Sequence, residues 1–340
     1  MQVNVILLFG GPGEEYEISL RSAAAVLPAL LRRHTVYPVG IDRQGGWYRT
    51  AADADAIAAD RWQTGALPVL LDPCGHALVS LGEALPADAV LPLLHGGLGE
   101  GGGVAAALSL LSIPYVGCPP TAGMLGMDKP LAKQLAEAAG VAVVPYLIVS
   151  RSDWPDNTLA DRIEARFGYP LFVKPATLGS SVGAFRVESR EELFTAIGTA
   201  LSFDGRVLCE EYIEGQEVEL ALLEQGGTLF GTLVGEIDSS APFYDYDTKY
   251  RNHTTRIFIP ARLGAHLRAA VSKAGRTVFH TLGCRGLARV DFFVRGEEIF
   301  FNEINTMPGF TDASMYPRLL AAAGLSLEEL VDVLVKNAHL

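Results

Sequence analysis

The chain has 340 residues, and its 27 lysines and arginines against 39 aspartates and glutamates give a formal net charge of −12. An apolar share of 49% excludes a disordered or fibrous chain, and the length favours two or three domains over a single core. The excess of acid excludes a broad phosphate-tracking surface, so no nucleic-acid partner is expected, and any anionic ligand has to meet a local cationic pocket.

Residues 3–9 are a short apolar run that stops at Gly10-Gly11-Pro12-Gly13, and 14–33 read as a helix. That order of strand, glycine turn and helix N-terminus suits a bound phosphate or carboxylate. Residues 89–94, the glycine-rich stretch 95–103 and a helix over 104–112 repeat it. Two such corners predict an N-terminal doubly wound parallel sheet in an α/β unit. The first nine residues have no basic character and no apolar run approaches 18 residues, which predicts a cytoplasmic protein with no membrane partner. Cys74, Cys118, Cys209 and Cys284 lie far apart with no CxxC or zinc spacing, and are expected to be buried thiols in a reducing compartment.

From about residue 128 the pattern becomes α+β: a helix over 129–139, strands near 143–149, 171–176 and 184–188, a helix over 191–201 and a strand over 207–212. Strands follow over 218–223 and 229–237, then a polar, aromatic stretch over 238–255. Strands over 256–260, 287–294 and 298–304, a helix over 264–282 and a closing helix over 326–336 complete the chain. The predicted domains are 1–127, 128–216 and 217–340.

Gly97-Leu98-Gly99-Glu100-Gly101-Gly102 satisfies GxGxxG, but the next strand ends Gly117-Cys118-Pro119-Pro120, without the acid a dinucleotide site needs. No GxxxxGK[ST] is present. Lys174 in an apolar strand, followed by Thr177-Leu178-Gly179-Ser180-Ser181-Val182-Gly183, describes either a flap over nucleotide phosphates or an edge-strand lysine beside a hairpin. In 287–293 charges alternate with apolar residues, so Arg289 and Asp291 share one strand face, and Glu303 and Asn305 share a face of a second strand. Asp291, Glu303 and Asn305 then offer hard oxygen ligands for Mg²⁺. Glu15 and Ser19 share a helix face, where Glu15 suits an ammonium or the helix dipole.

These segments, in this order, resemble the D-alanine:D-alanine ligase family of the ATP-grasp superfamily. The resemblance rests on Gly10-Gly11 through Ser19, His95-Gly96 through Glu100, the 174–183 flap, Phe243-Tyr244-Asp245-Tyr246 with Lys249-Tyr250, and Arg289 through Thr311. It implies a three-domain ATP-grasp architecture, and an enzyme that phosphorylates a D-alanine carboxylate with ATP and lets the amine of a second D-amino acid attack the acyl phosphate. It also implies that Lys129 and Lys174 hold phosphates, that Glu210 to Ile213, including Tyr212, bind adenosine with Glu217, and that Ser181 and Phe243 line the ATP site. Asp291, Glu303 and Asn305 would hold two Mg²⁺, with Mn²⁺ as a substitute, and Arg289 with the Gly309 N–H would hold an oxyanion.

Glu15, Ser180 and Tyr250 would form a triad at the first substrate; His95 and Glu100 would line its site, and Lys249, Ser314 and Met315 would take the second carboxylate. A homodimer is implied as well. Gly13, Gly101 and Asp312-Ala313 depart from the family pattern and bear on acceptor choice. The Glu-Tyr-Glu-Ile-Ser start also resembles D-alanine:D-serine ligases, and Tyr250 opposes a D-lactate acceptor. A non-catalytic nucleotide-binding regulator is the remaining reading, opposed by Arg289 beside its acidic neighbours.

Overall fold

The computed structural model describes residues 2–238 and 256–340. The N-terminal unit runs β1 (Asn4–Gly10), α1 (Tyr16–Leu31), β2 (Thr35–Ile41), β3 (Trp47–Arg49), α2 (Ala54–Ala58), β4 (Leu67–Asp72), β5 (Ala77–Ser80), β6 (Glu83–Ala84) and β7 (Ala89–Leu93). It continues with α3 (Gly97–Glu100), α4 (Gly103–Leu110) and α5 (Pro120–Met127). Strand order is β6-β5-β4-β3-β2-β1-β7. β2, β1 and β7 are parallel, and β3 to β6 extend the sheet as an antiparallel meander that the apolar patterning did not resolve.

The strict alternation of β1 decides how its two faces are covered. Val5, Leu7 and Phe9 enter one core with α1, while Ile6 and Leu8 enter another with α4. Helices thus cover both faces, and the carboxyl ends of β1 and β7 open into the crevice where ligands of such sheets bind. Ser19 on α1 ties those ends together, its Oγ accepting from Gly10 N at 2.7 Å and donating to the Leu93 carbonyl. Gly10 is required at its turn: its φ is +91°, and a Cβ would strike the Ile41 carbonyl.

The middle unit contains α6 (Lys129–Ala138), β8 (Tyr146–Ser150), α7 (Asn157–Phe167), β9 (Leu171–Pro175), β10 (Phe185–Val187), α8 (Arg190–Phe203) and β11 (Arg206–Glu211). Its antiparallel sheet has the order β10-β9-β11-β8. The C-terminal unit follows with β12 (Gln216–Gln225), β13 (Thr228–Asp238), β14 (Arg256–Phe258), α9 (Ala265–Thr281), β15 (Leu287–Arg295), β16 (Glu298–Asn305), α10 (Met315–Ala322) and α11 (Leu327–Lys336). Its sheet is antiparallel with order β14-β13-β12-β15-β16.

Core membership shifts one expected boundary. Ala132 and Ala136 of α6, with Val141 and Val143, pack into the C-terminal core, whereas the middle unit's own core begins at Val149. α6 packs on β16 and α9 of the C-terminal unit. α10 packs on β12 and β13 while α11 packs on α1 and β7, and Leu319, Leu330 and Val331 join these contacts into one core with the N-terminal sheet. The expectation of four buried thiols fails at Cys74, which sits exposed in the hairpin between β4 and β5; the other three are buried, and all four are free. No described helix is long and apolar enough to cross a membrane.

Candidate active site

Two adjoining cavities occupy the junction of the three units. The larger, about 330 Å³, falls in the size range of small-molecule sites and lies between the middle and C-terminal sheets. The smaller, about 80 Å³, lies where the N-terminal glycine loops meet the end of β16. Ser180, Ile237 and Glu303 line both.

The larger cavity has a cationic floor. Lys174 on β9 reaches Glu210 Oε2 at 2.7 Å and Asn302 Oδ1 at 3.0 Å. Lys129, the first residue of α6, donates to the Leu178 carbonyl of the flap and lies 4.0 Å from Glu303. Burial lowers the Lys129 pKa, with Glu303 opposing. Glu210 on β11 is buried, which disfavours its charge, yet Lys133 at 3.0 Å and Lys174 more than offset that and hold it ionised. On the opposite wall the rings of Phe172 and Tyr212 stack with centroids 5.9 Å apart, and Arg186 lies 5.0 Å from the centroid of the Tyr212 ring. Ile213, Glu217 and Ser181 complete the described part of this wall. In the flap Ser180 and Ser181 both have left-handed backbones, with φ of +48° and +58°, a costly pair for residues with a Cβ.

The smaller cavity is acidic around one arginine. Arg289 on β15 donates from Nε to Asp291 Oδ1 at 2.8 Å and from Nη2 to Asp291 Oδ2 at 2.7 Å. Its Nε also lies 3.0 Å from Glu219 of β12. Burial works against its charge, but Asp291 and Glu219 hold it firmly protonated. Strand register explains the grouping: Arg289 faces Asn305 and Asp291 faces Glu303 across the β15–β16 ladder. Asn305 Nδ2 donates to Asp291 Oδ2 at 3.0 Å. The register slips between Asp291 and Phe292, and this bulge turns both Asn302 and Glu303 toward the larger cavity.

From the N-terminal side, Glu15 precedes α1 and accepts from Ser180 Oγ, which joins flap to first helix. Gly96 has φ of +61°, and a Cβ there would land on the Glu15 carboxylate, so glycine is needed for this approach. Glu100 accepts from Gly96 N at 3.2 Å and Met307 N at 3.3 Å. Burial and the nearby Glu15 push its pKa up to about 7. His95 lines the cavity, but both its ring nitrogens are engaged, Nε2 with Ser22 Oγ at 3.0 Å and Nδ1 with the Met307 carbonyl at 2.9 Å. Gly309, Ser314 and Met315 form the far wall, where Ser314 precedes α10 and its Oγ accepts from Thr311 N at 3.2 Å.

All the described candidates except Asp291 line one of the cavities, and Asp291 lies directly behind Arg289. Phe243, Lys249 and Tyr250 lie outside the described residues. Among the described residues no three Asp, Glu, His or Cys side chains converge on a metal-sized point. Two carboxylates and an amide on facing strand positions nonetheless form the hard-oxygen set that Mg²⁺ shares with phosphates. The patterning did not single out Lys133, Glu219, Asn302 or Ser22. Spacing held a signal for three of them: Lys133 follows Lys129 by one helical turn, Ser22 continues the Glu15-Ser19 face, and Glu219 alternates with Glu217.

A cavity closed by two antiparallel sheets, with Lys174 on one, Lys129 at the start of α6 and acidic residues on the other sheet, defines the ATP-grasp class of fold. Within it the chain belongs to the D-alanine–D-alanine ligase family: residues 4–118 match the family description "D-ala D-ala ligase N-terminus" and 135–336 match "D-ala D-ala ligase C-terminus". Curated relatives include the D-alanine–D-alanine ligase of Chlorobium phaeovibrioides, 41% identical over 99% of this chain and 97% of that protein. The D-alanine–D-alanine ligase of Deinococcus radiodurans is 42% identical over 99% of both chains. Similar solved structures include the VanG D-Ala:D-Ser ligase of Enterococcus faecalis, with TM-score 0.89 and 35% identity over 99% of each chain. The D-alanine–D-alanine ligase of Coxiella burnetii superposes with TM-score 0.87 and 30% identity, covering 99% of this chain and 93% of that one.

Proposed function

We propose that the protein is an ATP-dependent ligase that joins two D-alanines through an acyl phosphate, supplying D-alanyl-D-alanine for peptidoglycan synthesis from the cytoplasm as a homodimer. The observation that carries this reading is the shared wall: Ser180 and Glu303 line both cavities, so a nucleotide's terminal phosphate in one meets a small carboxylate in the other. ATP lies in the larger cavity with phosphates toward Lys129 and Lys174, and adenosine against 210–213 and Glu217. The first D-alanine lies in the smaller one, its ammonium at Glu15 and its carboxylate toward Glu303 and Arg289.

Phosphoryl transfer to that carboxylate gives ADP and an acyl phosphate. The free amine of the second D-alanine, its carboxylate held by Ser314 and the Met315 N–H, attacks the acyl carbon. Arg289 and the Gly309 N–H face the oxyanion that develops, which is where preorganised donors accelerate acyl transfer most. Phosphate then leaves and the dipeptide amide remains. Asp291, Glu303 and Asn305 would hold Mg²⁺, which when bound neutralises phosphate charge during transfer. Much of the remaining catalysis is positioning.

A second reading, a D-alanine:D-serine ligase, is favoured by the likeness to VanG and by the Glu-Tyr-Glu-Ile-Ser start. Both readings predict ADP release that requires Mg²⁺ and D-alanine. D-alanine and D-serine offered together, with the dipeptide identified by mass, separate the two. ADP release indifferent to D-alanine contradicts both, and nucleotide binding with no dipeptide under any acceptor favours the non-catalytic regulator.

A further inference from the structure

The loop 306–310 leaves β16 and carries Gly309, yet its described polar contacts run to the N-terminal unit. Thr306 Oγ1 donates to the Glu100 carbonyl at 3.3 Å, and Phe310 N donates to Ser22 Oγ at 3.2 Å. Met307 N donates to Glu100 Oε1 at 3.3 Å, and a further contact passes through His95, where the protons can be assigned. The Met307 carbonyl only accepts, so His95 Nδ1, 2.9 Å away, carries a proton. Burial lowers the pKa of His95 and keeps the ring neutral, so Nε2 is a bare acceptor. The Ser22 hydroxyl 3.0 Å away must then donate to Nε2 while accepting from Phe310 N. Every donor in the chain Phe310 N–H, Ser22, His95, Met307 C=O meets an acceptor, and the chain is buried: Ser22 is 0% and His95 8% exposed.

We propose that Ser22 is a positioning residue for acyl transfer. With His95 it clasps the backbone on both sides of Gly309 and so fixes where that N–H points. His95 serves the same clasp, its two nitrogens being engaged by protein rather than open to substrate. The inference rests on the ligase reading for its consequence, because a displaced Gly309 N–H weakens stabilisation of the oxyanion and leaves the acyl phosphate open to water. It does not concern nucleotide binding, since Ser22 and His95 do not line the larger cavity.

The test compares the wild-type chain with Ser22→Ala and Ser22→Thr. Ser22→Ala is expected to keep the KM for ATP within about twofold, to lower the kcat for dipeptide by roughly tenfold to a hundredfold, and to release more than one ADP per dipeptide. Ser22→Thr, which keeps the hydroxyl, restores most of the rate and the one-to-one ratio. An unchanged kcat in Ser22→Ala overturns the proposal, as does a parallel loss of ADP and dipeptide that threonine does not rescue. Hydrogen exchange across 306–311 supplies a readout independent of activity: faster exchange in Ser22→Ala is expected, and unchanged exchange overturns the clasp. A wild-type chain that makes no dipeptide defeats the ligase reading alone, because the exchange measurement still decides the clasp.

Discussion

Lys133 has no exposed surface, and its ammonium lies 3.0 Å from Glu210 Oε1. Burial pushes its pKa down to about 8, with Glu210 pulling the other way. Removing one partner of a buried pair costs about 3–5 kcal/mol because the other charge is stranded. Glu210 keeps Lys174 at 2.7 Å, so Lys133→Met should fall at the low end, about 3 kcal/mol. Urea unfolding checks this, and a loss below about 1 kcal/mol would mean that Lys174 alone supports Glu210. Lys133 also marks where residue-scale reading ran out. Arg289, Asp291, Glu303 and Asn305 were legible because a strand's two-residue period puts alternating charges on one face. The partners of Lys133, Ser22 and His95 were not, because they are fixed only by tertiary packing: the carbonyl that His95 meets lies 212 positions away.

At the scale of elements, the glycine loops after β1 and β7 were legible as turns that admit a close approach, and the Gly96 position shows why. The β16 bulge was not: nothing in Phe301-Asn302-Glu303 signals the slip that brings Asn302 to Lys174. The α3 loop makes a testable electrostatic device through Glu100, whose folded pKa of about 7 stands above its ordinary value of 4.5 because of burial and Glu15. A carboxyl with a raised folded pKa binds more protons folded than unfolded between those values. Its contribution to stability is therefore greatest below about pH 4.5 and is lost as pH rises toward 7. Thermal unfolding of wild type and Glu100→Gln across pH 5 to 8 should show the wild-type advantage shrinking as pH rises. A constant difference across that range would contradict the assignment.

For the whole molecule, the net charge of −12 and the need for an anionic ligand are reconciled by local pairing. Lys129 and Lys174 line the cavity between two sheets beside several carboxylates, of which Glu210 is already paired with Lys133 and Lys174. The N-terminal sheet and helices α10 and α11 share one core, reinforced by Arg33 with Glu328 at 2.8 Å and Asp332 at 3.1 Å. The middle sheet keeps a separate core. Substrate loops and the Gly309 loop thus belong to one packed body, and the flap to another, meeting at Ser180 and Glu15. The order of units was readable from the motifs, whereas the sharing of cores was not, since it depends on how α6, α10 and α11 cross unit boundaries.

The central claim is that a D-alanine carboxylate oxygen attacks the terminal phosphate of ATP across the shared wall. D-alanine labelled with ¹⁸O in its carboxylate, incubated with the protein, ATP and Mg²⁺, tests it directly by mass analysis of the phosphate released. The account predicts one ¹⁸O in each phosphate formed together with dipeptide. Dipeptide accompanied by unlabelled phosphate would contradict it.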